Sequence, residues 1–158
     1  MFCDKCGGKT DNDKNINNLC PKPDCDKYVF LNPKIAVLAV VQKDNEILLV
    51  KRNIMPFYNE WSLPAGYINK WEAPDKAIIR EVYEETNVKI KVLKLLDAHL
   101  NEDSGVIVLS YLTKHLKGPI KIGEECKDVK YFNKNIPLVK HISKNNNVKY
   151  IESKIDID

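Results

Sequence analysis

No stretch of this chain is apolar for about 18 residues on end, so no helix of it is expected to span a bilayer. The opening MFCDKCGG lacks the basic and apolar regions of a secretory leader, and the default location that follows is cytoplasmic. There is little excess of charge of either sign. A formal net charge of +3 over 158 residues is too mild for a surface built on nucleic acid. Repeats and low-complexity linkers are missing too, and at 44% hydrophobic residues the composition is not that of a disordered chain. One globular domain of ordinary size with a small appendage fits these bounds. Histidine is scarce, three in all, and none can be assigned as a partner to Cys126. That cysteine therefore reads as a packed core thiol rather than a nucleophile.

The other four cysteines crowd into the first 25 residues: Cys3, Cys6, Cys20 and Cys25. The spacing is C-x2-C, thirteen residues, then C-x4-C. Two tight turns, each with a cysteine pair, can converge on one tetrahedral Zn²⁺. Gly7 and Gly8 ease the first turn. Two disulfides or four free thiols are the alternatives, and a reducing compartment disfavours the disulfides. Between the pairs, DNDKNINN has no apolar periodicity and reads as loop. Such a segment cannot bury a core, so a structural zinc ribbon over residues 1–32 is expected to staple it.

Residues 33–158 read as the main domain. KIAVLAVVQ (Lys34 to Gln42) and EILLVKR (Glu46 to Arg52) are apolar, β-branched runs around KDN, which predicts a hairpin. WSLPAGYIN reads as short extended pieces broken at Pro64 and Gly66. A helix is predicted from Pro74 to Thr86, with Ala77, Ile78 and Val82 facing inward and Asn87 as a left-handed terminator. Strands are predicted in Val88 to Leu100, Gly105 to Leu116 and Asp128 to Phe132, and one or two short helices in Pro137 to Asp158. The order suggests an α/β (α+β) fold, a mixed sheet with helices packed on it.

That central helix is where the chemistry concentrates. Glu81, Glu84 and Glu85 share one face, although like charges at this spacing repel. A plain solvated face is one reading. A hard divalent cation such as Mg²⁺ or Mn²⁺, which takes oxygen ligands and pairs with substrate phosphates, is the other. Arg80 and Glu72 can pair and fix the loop against the helix. For REVYEE taken alone the solvated face is the stronger reading, and the spacing over 23 residues changes that. GYINKWEAPDKAIIREVYEETNV matches G-x5-E-x7-R-E-U-x-E-E-x-G-U, with U aliphatic, at Gly66, Glu72, Arg80, Glu81, Val82, Glu84, Glu85 and Val88. Asn87 replaces the second glycine, and Asn tolerates positive φ better than most residues.

This pattern is the Nudix box, and the chain resembles Nudix hydrolases along most of its length. WSLPAGY leads into the box as in that family, and EECKDVKYFNKNIP resembles a later family stretch. With the cysteine pairs, NPK at Asn32 to Lys34 and KRNIMPFYNEWSLPAGY resemble zinc-ribbon Nudix pyrophosphatases of ADP-ribose or FAD. The resemblance implies an α/β/α sandwich and Mg-dependent hydrolysis of a nucleoside diphosphate linked to another moiety. The foremost expectation is ADP-ribose cleaved to AMP and ribose 5-phosphate. It further implies Glu81, Glu84 and Glu85 as metal ligands, aided by a carbonyl of Ala65 or Gly66. Arg80 would orient the glutamates, and Glu125, with Glu124 as its rival, would supply a further acid. A glutamate would serve as general base toward a water attacking phosphorus. Arg52, Phe57, Trp61 and Trp71 are candidate substrate residues, the aromatics, with Tyr58, by stacking a base; each also reads as core or ordinary surface. Trp71 and Asn69 stand where the family often has Gly and an acid, which can reshape the substrate mouth. The resemblance leaves FAD, NADH, dinucleoside polyphosphates, damaged nucleoside triphosphates and capped RNA ends as alternatives. NADH ranks lower, because no S-Q-P-W-P-F-P-type signature follows Val88. A reading of another class is a non-catalytic ADP-ribose sensor. The partner is a small nucleotide rather than a membrane or nucleic acid, and similar proteins are commonly homodimers.

Overall fold

The computed structural model describes residues 2–3, 5–9, 20, 22–28 and 33–134. The chain divides into two compact units, Met1–Pro33 and Lys34–Asp158.

The larger unit is built on one seven-stranded mixed sheet. Its elements are β1 (Ile35–Lys43), β2 (Glu46–Arg52), β3 (Trp61–Ser62), β4 (Ala65–Tyr67), α1 (Pro74–Thr86), β5 (Lys89–Asn101), β6 (Val106–Lys117) and β7 (Cys126–Asn133). The main path runs β3-β2-β1-β6-β5, with β4 on β1 and β7 on β2. β1 and β6 are parallel, and the other pairs are antiparallel. The hairpin predicted around KDN is the β1–β2 turn, with Asp44 at φ 52°. In WSLPAGYIN the chain breaks at Leu63–Pro64 but not at Gly66, which pairs with Val37 inside β4. The reason is local: Pro64 has no N–H to give a ladder, whereas Gly66 keeps a normal extended backbone.

Alternation along β1 explains why its apolar run is continuous. Val37, Ala39 and Val41 pack on one side with Ala77, Ile78 and Val82 of α1. Leu38 and Val40 pack on the other with Leu49, Leu63, Val108 and Leu112. A strand buried on both faces has no polar side to show. Cys126 is buried in the first cluster, and its apolar surroundings push the thiol up to about 12, as befits a core thiol. α1 is the one helix among the described residues. The tail helices expected in Pro137 to Asp158 lie outside the described residues.

α1 begins at Pro74, where a missing N–H costs nothing, and ends at Asn87, whose φ of 60° lets its N–H reach the Tyr83 carbonyl at 2.7 Å. In the smaller unit, two turns each carry a cysteine pair. Gly7 (φ +65°) closes the first, its N–H bonded to the Cys3 carbonyl at 2.8 Å. Gly8 meets a different need, since a Cβ there would sit 3.3 Å from Cys6 Sγ.

Candidate functional site

The site grows from the helix outward. Arg80 is its hub, and all five N–H groups of the guanidinium meet an acceptor. Nε and Nη2 form a fork on Glu72 at 2.7 and 2.8 Å. Nη1 donates to Glu81 at 2.7 Å and to Glu84 at 3.0 Å, and Nη2 also donates to the Tyr67 carbonyl at 3.0 Å. The predicted Glu72–Arg80 pair is therefore present, and Arg80 also ties the β4 backbone to two of the helix carboxylates. The fork holds the Glu72 carboxyl down at about 2.

Gly66 is required by the same arrangement. A Cβ on it would lie 2.0 Å from Glu81 Cδ, inside the carboxylate. The glycine of the box thus makes room for the glutamate rather than for a turn. The strand also settles which carbonyl is free. Ala39 N–H donates to Pro64 O at 2.8 Å, and Ile68 N–H to Ile35 O at 3.0 Å. Hydrogen-bonded pairs alternate along an antiparallel ladder, so Gly66 turns its polar groups to Val37, while Ala65 and Tyr67 turn theirs away from β1. The Tyr67 carbonyl meets Arg80 there, and the Ala65 backbone near Glu85 favours the charged form of that carboxyl.

Glu125 reaches the site because segment 118–125 wraps the C-terminal end of α1. Asn87 Nδ2 bonds Pro119 O at 3.0 Å, Lys121 N–H bonds Thr86 O at 3.0 Å, and Gly123 N–H bonds Glu85 O at 2.9 Å. The Thr86 and Glu85 acceptors are helix-end carbonyls that would otherwise lack partners. A Cβ on Gly123 would come within 2.2 Å of Glu84 O, so only glycine permits the approach. The Gly123 contact was not foreseen from the sequence. A glycine placed just before paired acids (GEE) was the available signal.

These elements enclose a cleft of about 600 Å³ lined by Arg52, Phe57, Ala65, Gly66, Arg80 and the carboxylates of Glu81, Glu84 and Glu125. Glu124 is not in the lining, so Glu125 is the better placed of the two. Glu85 lies beneath, 8% exposed, and one of its oxygens, Oε2, has no hydrogen-bond partner. Burial, reinforced by the charges of Glu81 and Glu125, pushes its carboxyl up to about 8. Burial also raises Glu81. Three of the candidate ring residues stand outside the cleft. Trp61 packs edge-on against Phe132 with centroids 4.9 Å apart, held there by the second core cluster. Trp71 is 93% exposed, and Lys70 Nζ lies 5.2 Å from its ring. Tyr58 accepts a hydrogen bond from Lys127 at 2.6 Å.

In the smaller unit the thiol sulfurs of Cys3, Cys6, Cys20 and Cys25 all lie within 4.8 Å of one another. Cys3 to Cys25 is 3.8 Å and Cys6 to Cys20 is 3.6 Å, far beyond a disulfide bond, and all four are free thiols. A hydrogen bond from the Cys6 backbone is the main force drawing the Cys3 thiol down to about 7. Four convergent soft donors match tetrahedral Zn²⁺ and are consistent with a zinc ribbon.

A mixed sheet carrying one helix among the described residues, with an arginine-bound glutamate cluster over a cleft, is an arrangement suited to cation-assisted hydrolysis. The chain belongs to the NUDIX domain family, whose model matches residues 32–149, and it is a Nudix hydrolase. It is 34% identical over 122 residues to an ADP-ribose pyrophosphatase of Methanocaldococcus jannaschii, covering 74% of this chain and 72% of that protein. It is 30% identical over 141 residues to a protein named NAD-capped RNA hydrolase NudC from Haemophilus influenzae, covering 87% of this chain and 53% of that protein. The chain thus spans about half the length of the NudC relatives. Among solved structures, a NUDIX hydrolase from Nitrosomonas europaea superposes with a TM-score of 0.75 at 27% identity, over 91% of this chain and 84% of that one. No helix among the described residues is long and apolar enough to cross a membrane.

Proposed function

We propose that this protein hydrolyses the diphosphate of a nucleoside diphosphate-linked substrate, foremost ADP-ribose, to AMP and ribose 5-phosphate. The observation that carries the reading is the set of four carboxylates, Glu81, Glu84, Glu85 and Glu125, gathered with two arginines at one cleft. The name of the M. jannaschii relative points to ADP-ribose among the substrates.

The donor set fits Mg²⁺ or Mn²⁺. It consists of hard oxygens, and the buried Glu85 Oε2 has no partner in the protein. Glu81, Glu84, Glu85 and the Ala65 carbonyl are the groups that would hold it. When bound, the cation offsets phosphate charge and acidifies water. The residues themselves do the rest. Arg80 restrains Glu81 and Glu84, so neither must be ordered when substrate arrives. Arg52 spends Nε on the Pro56 carbonyl at 2.9 Å, which leaves its two terminal nitrogens for a phosphate. Glu84 and Glu125, both on the cleft wall, are the carboxylates placed to take the proton of an attacking water. Water adds at phosphorus, the bridging P–O bond breaks, and the two products are phosphate monoesters. The Cys3, Cys6, Cys20 and Cys25 cluster would hold one structural Zn²⁺.

The test is incubation with Mg²⁺ and, separately, ADP-ribose, FAD, NADH, diadenosine tetraphosphate and NAD-capped RNA, with products followed by chromatography. Rapid AMP release from ADP-ribose, lost in Glu84→Gln and Glu85→Gln, is the expected result. Faster cleavage of NADH or NAD-capped RNA would move the substrate to the second reading. That reading is favoured by the 87% of this chain that aligns with the NudC relative, a span that reaches into the cysteine-bearing segment. No cleavage of any compound would overturn the proposal.

A further inference from the structure

The loop between β2 and β3, residues 53–60, does something the carboxylates cannot. It places Ile54, Met55, Pro56 and Phe57 in the lining of the same cleft as Glu81, Glu84 and Glu125. Met55 is 76% exposed and Phe57 42%, so two large apolar side chains stand in water beside a strongly charged site. Exposing them costs hydrophobic free energy that burial elsewhere would have recovered. The backbone is held to do so. Phe57 (φ 66°) and Asn59 (φ 67°) both sit in the left-handed region, which is uncommon for non-glycine residues and rare for an aromatic one.

The loop is also tied down at several points. Arg52 Nε bonds Pro56 O at 2.9 Å, Arg52 N–H bonds Glu60 O at 2.9 Å, and Asn59 N–H bonds Arg52 O at 2.9 Å. Glu60 N–H bonds Phe57 O at 3.1 Å. At its start, Asn53 N–H bonds Glu125 O at 2.8 Å and Asn53 Nδ2 bonds Glu124 O at 3.3 Å. The apolar loop and the segment bearing Glu125 are therefore one hydrogen-bonded assembly.

We infer that Met55 and Phe57 form a preorganised shelf for a flat heteroaromatic ring, and that they determine specificity for substrates whose diphosphate carries a base. A thioether and an aromatic face are both suited to a ring, and neither offers the polar groups a sugar would need. Arg52, at the foot of the shelf, places the phosphate next to the ring in reach of a guanidinium. The inference rests on the proposed hydrolase reading for the direction in which the substrate lies, but its test does not need turnover.

The test is equilibrium binding by calorimetry, on the full chain with Mn²⁺, of AMP and of ribose 5-phosphate, which shares the phosphate and lacks the ring. AMP is expected to bind at least tenfold more tightly than ribose 5-phosphate. Met55→Ala and Phe57→Gly should each remove most of that preference while changing ribose 5-phosphate affinity little. Glycine suits the left-handed backbone at position 57, so Phe57→Gly removes the ring without straining the loop. Equal affinity for the two ligands, or a preference that survives both substitutions, overturns the shelf. If AMP shows the shelf-dependent preference but ADP-ribose is not cleaved, the substrate reading falls and the shelf stands.

Discussion

Replacing Glu85 with Gln should stabilise this protein in the absence of Mg²⁺ or Mn²⁺, by an amount that grows as pH rises from about 4.5 to about 8. The Glu85 carboxyl is buried and lifted from its ordinary 4.5 to about 8, chiefly by burial and then by the Glu81 charge. A group whose folded pKa lies above its unfolded one adds stability that is fully present below the unfolded value. That stability is lost as pH rises through the folded value. The window here is from about pH 4.5 to about pH 8. Each unit within it is worth about 1.4 kcal/mol, so by pH 8 the charge of Glu85 costs on the order of 4 kcal/mol. Gln has the same shape and never ionises, so it removes that slope. The assay is urea unfolding at pH 5 and pH 8, with zinc retained and no other divalent cation. Both tryptophans of the chain, Trp61 and Trp71, lie in the Lys34–Asp158 unit, so fluorescence reports that unit alone. With a urea slope of about 2 kcal/mol per molar, the variant's midpoint should exceed the parent's by about 2 M at pH 8 and nearly coincide with it at pH 5. Adding Mg²⁺ should stabilise the parent and do little for the variant. An equal difference at the two pH values would show that Glu85 is not the titrating group and would refute the reasoning.

Arg80→Lys removes the fork on Glu72 and leaves at most three of five donors; a loss of about 2 kcal/mol in unfolding free energy and at least a tenfold fall in kcat are expected, read by denaturation and initial rates. Gly66→Ala drives a methyl into Glu81, so the Mg²⁺ concentration for half-maximal activity should rise at least tenfold while thermal unfolding shifts by only a few degrees. Zinc content measured by atomic absorption should be about one per chain and should fall in Cys20→Ser, and a strong chelator should make the smaller unit sensitive to proteolysis before the larger one.

How far the site could be read from sequence depended on whether its parts are local. Glu72, Arg80, Glu81, Glu84 and Glu85 fall within fourteen residues, and helical geometry alone gathers the last four, so the spacing carries them. The first two strands and α1 were legible for the same reason: β-branched runs bounded by polar turns, and Pro74 and Asn87 at the helix ends. Trp61 and Trp71 show the limit. An aromatic side chain looks alike in sequence whether it packs on Phe132, stands in solvent or faces a substrate, because that depends on contacts made from distant strands. Gly123 shows a second limit. Its constraint comes from the carbonyl of Glu84, thirty-nine residues away, and appears only once segment 118–125 folds back on the helix. Met55 is the hardest case. An exposed methionine carries no periodicity and no charge, and its place beside the carboxylates is set by backbone bonds from Arg52 and Asn53. The carboxylates proposed to fix a cation are therefore written in local spacing. The residues proposed to choose the substrate sit on the backbone of a loop, where sequence pattern has least to say. Chains with the same box can keep one chemistry while their loops select different molecules.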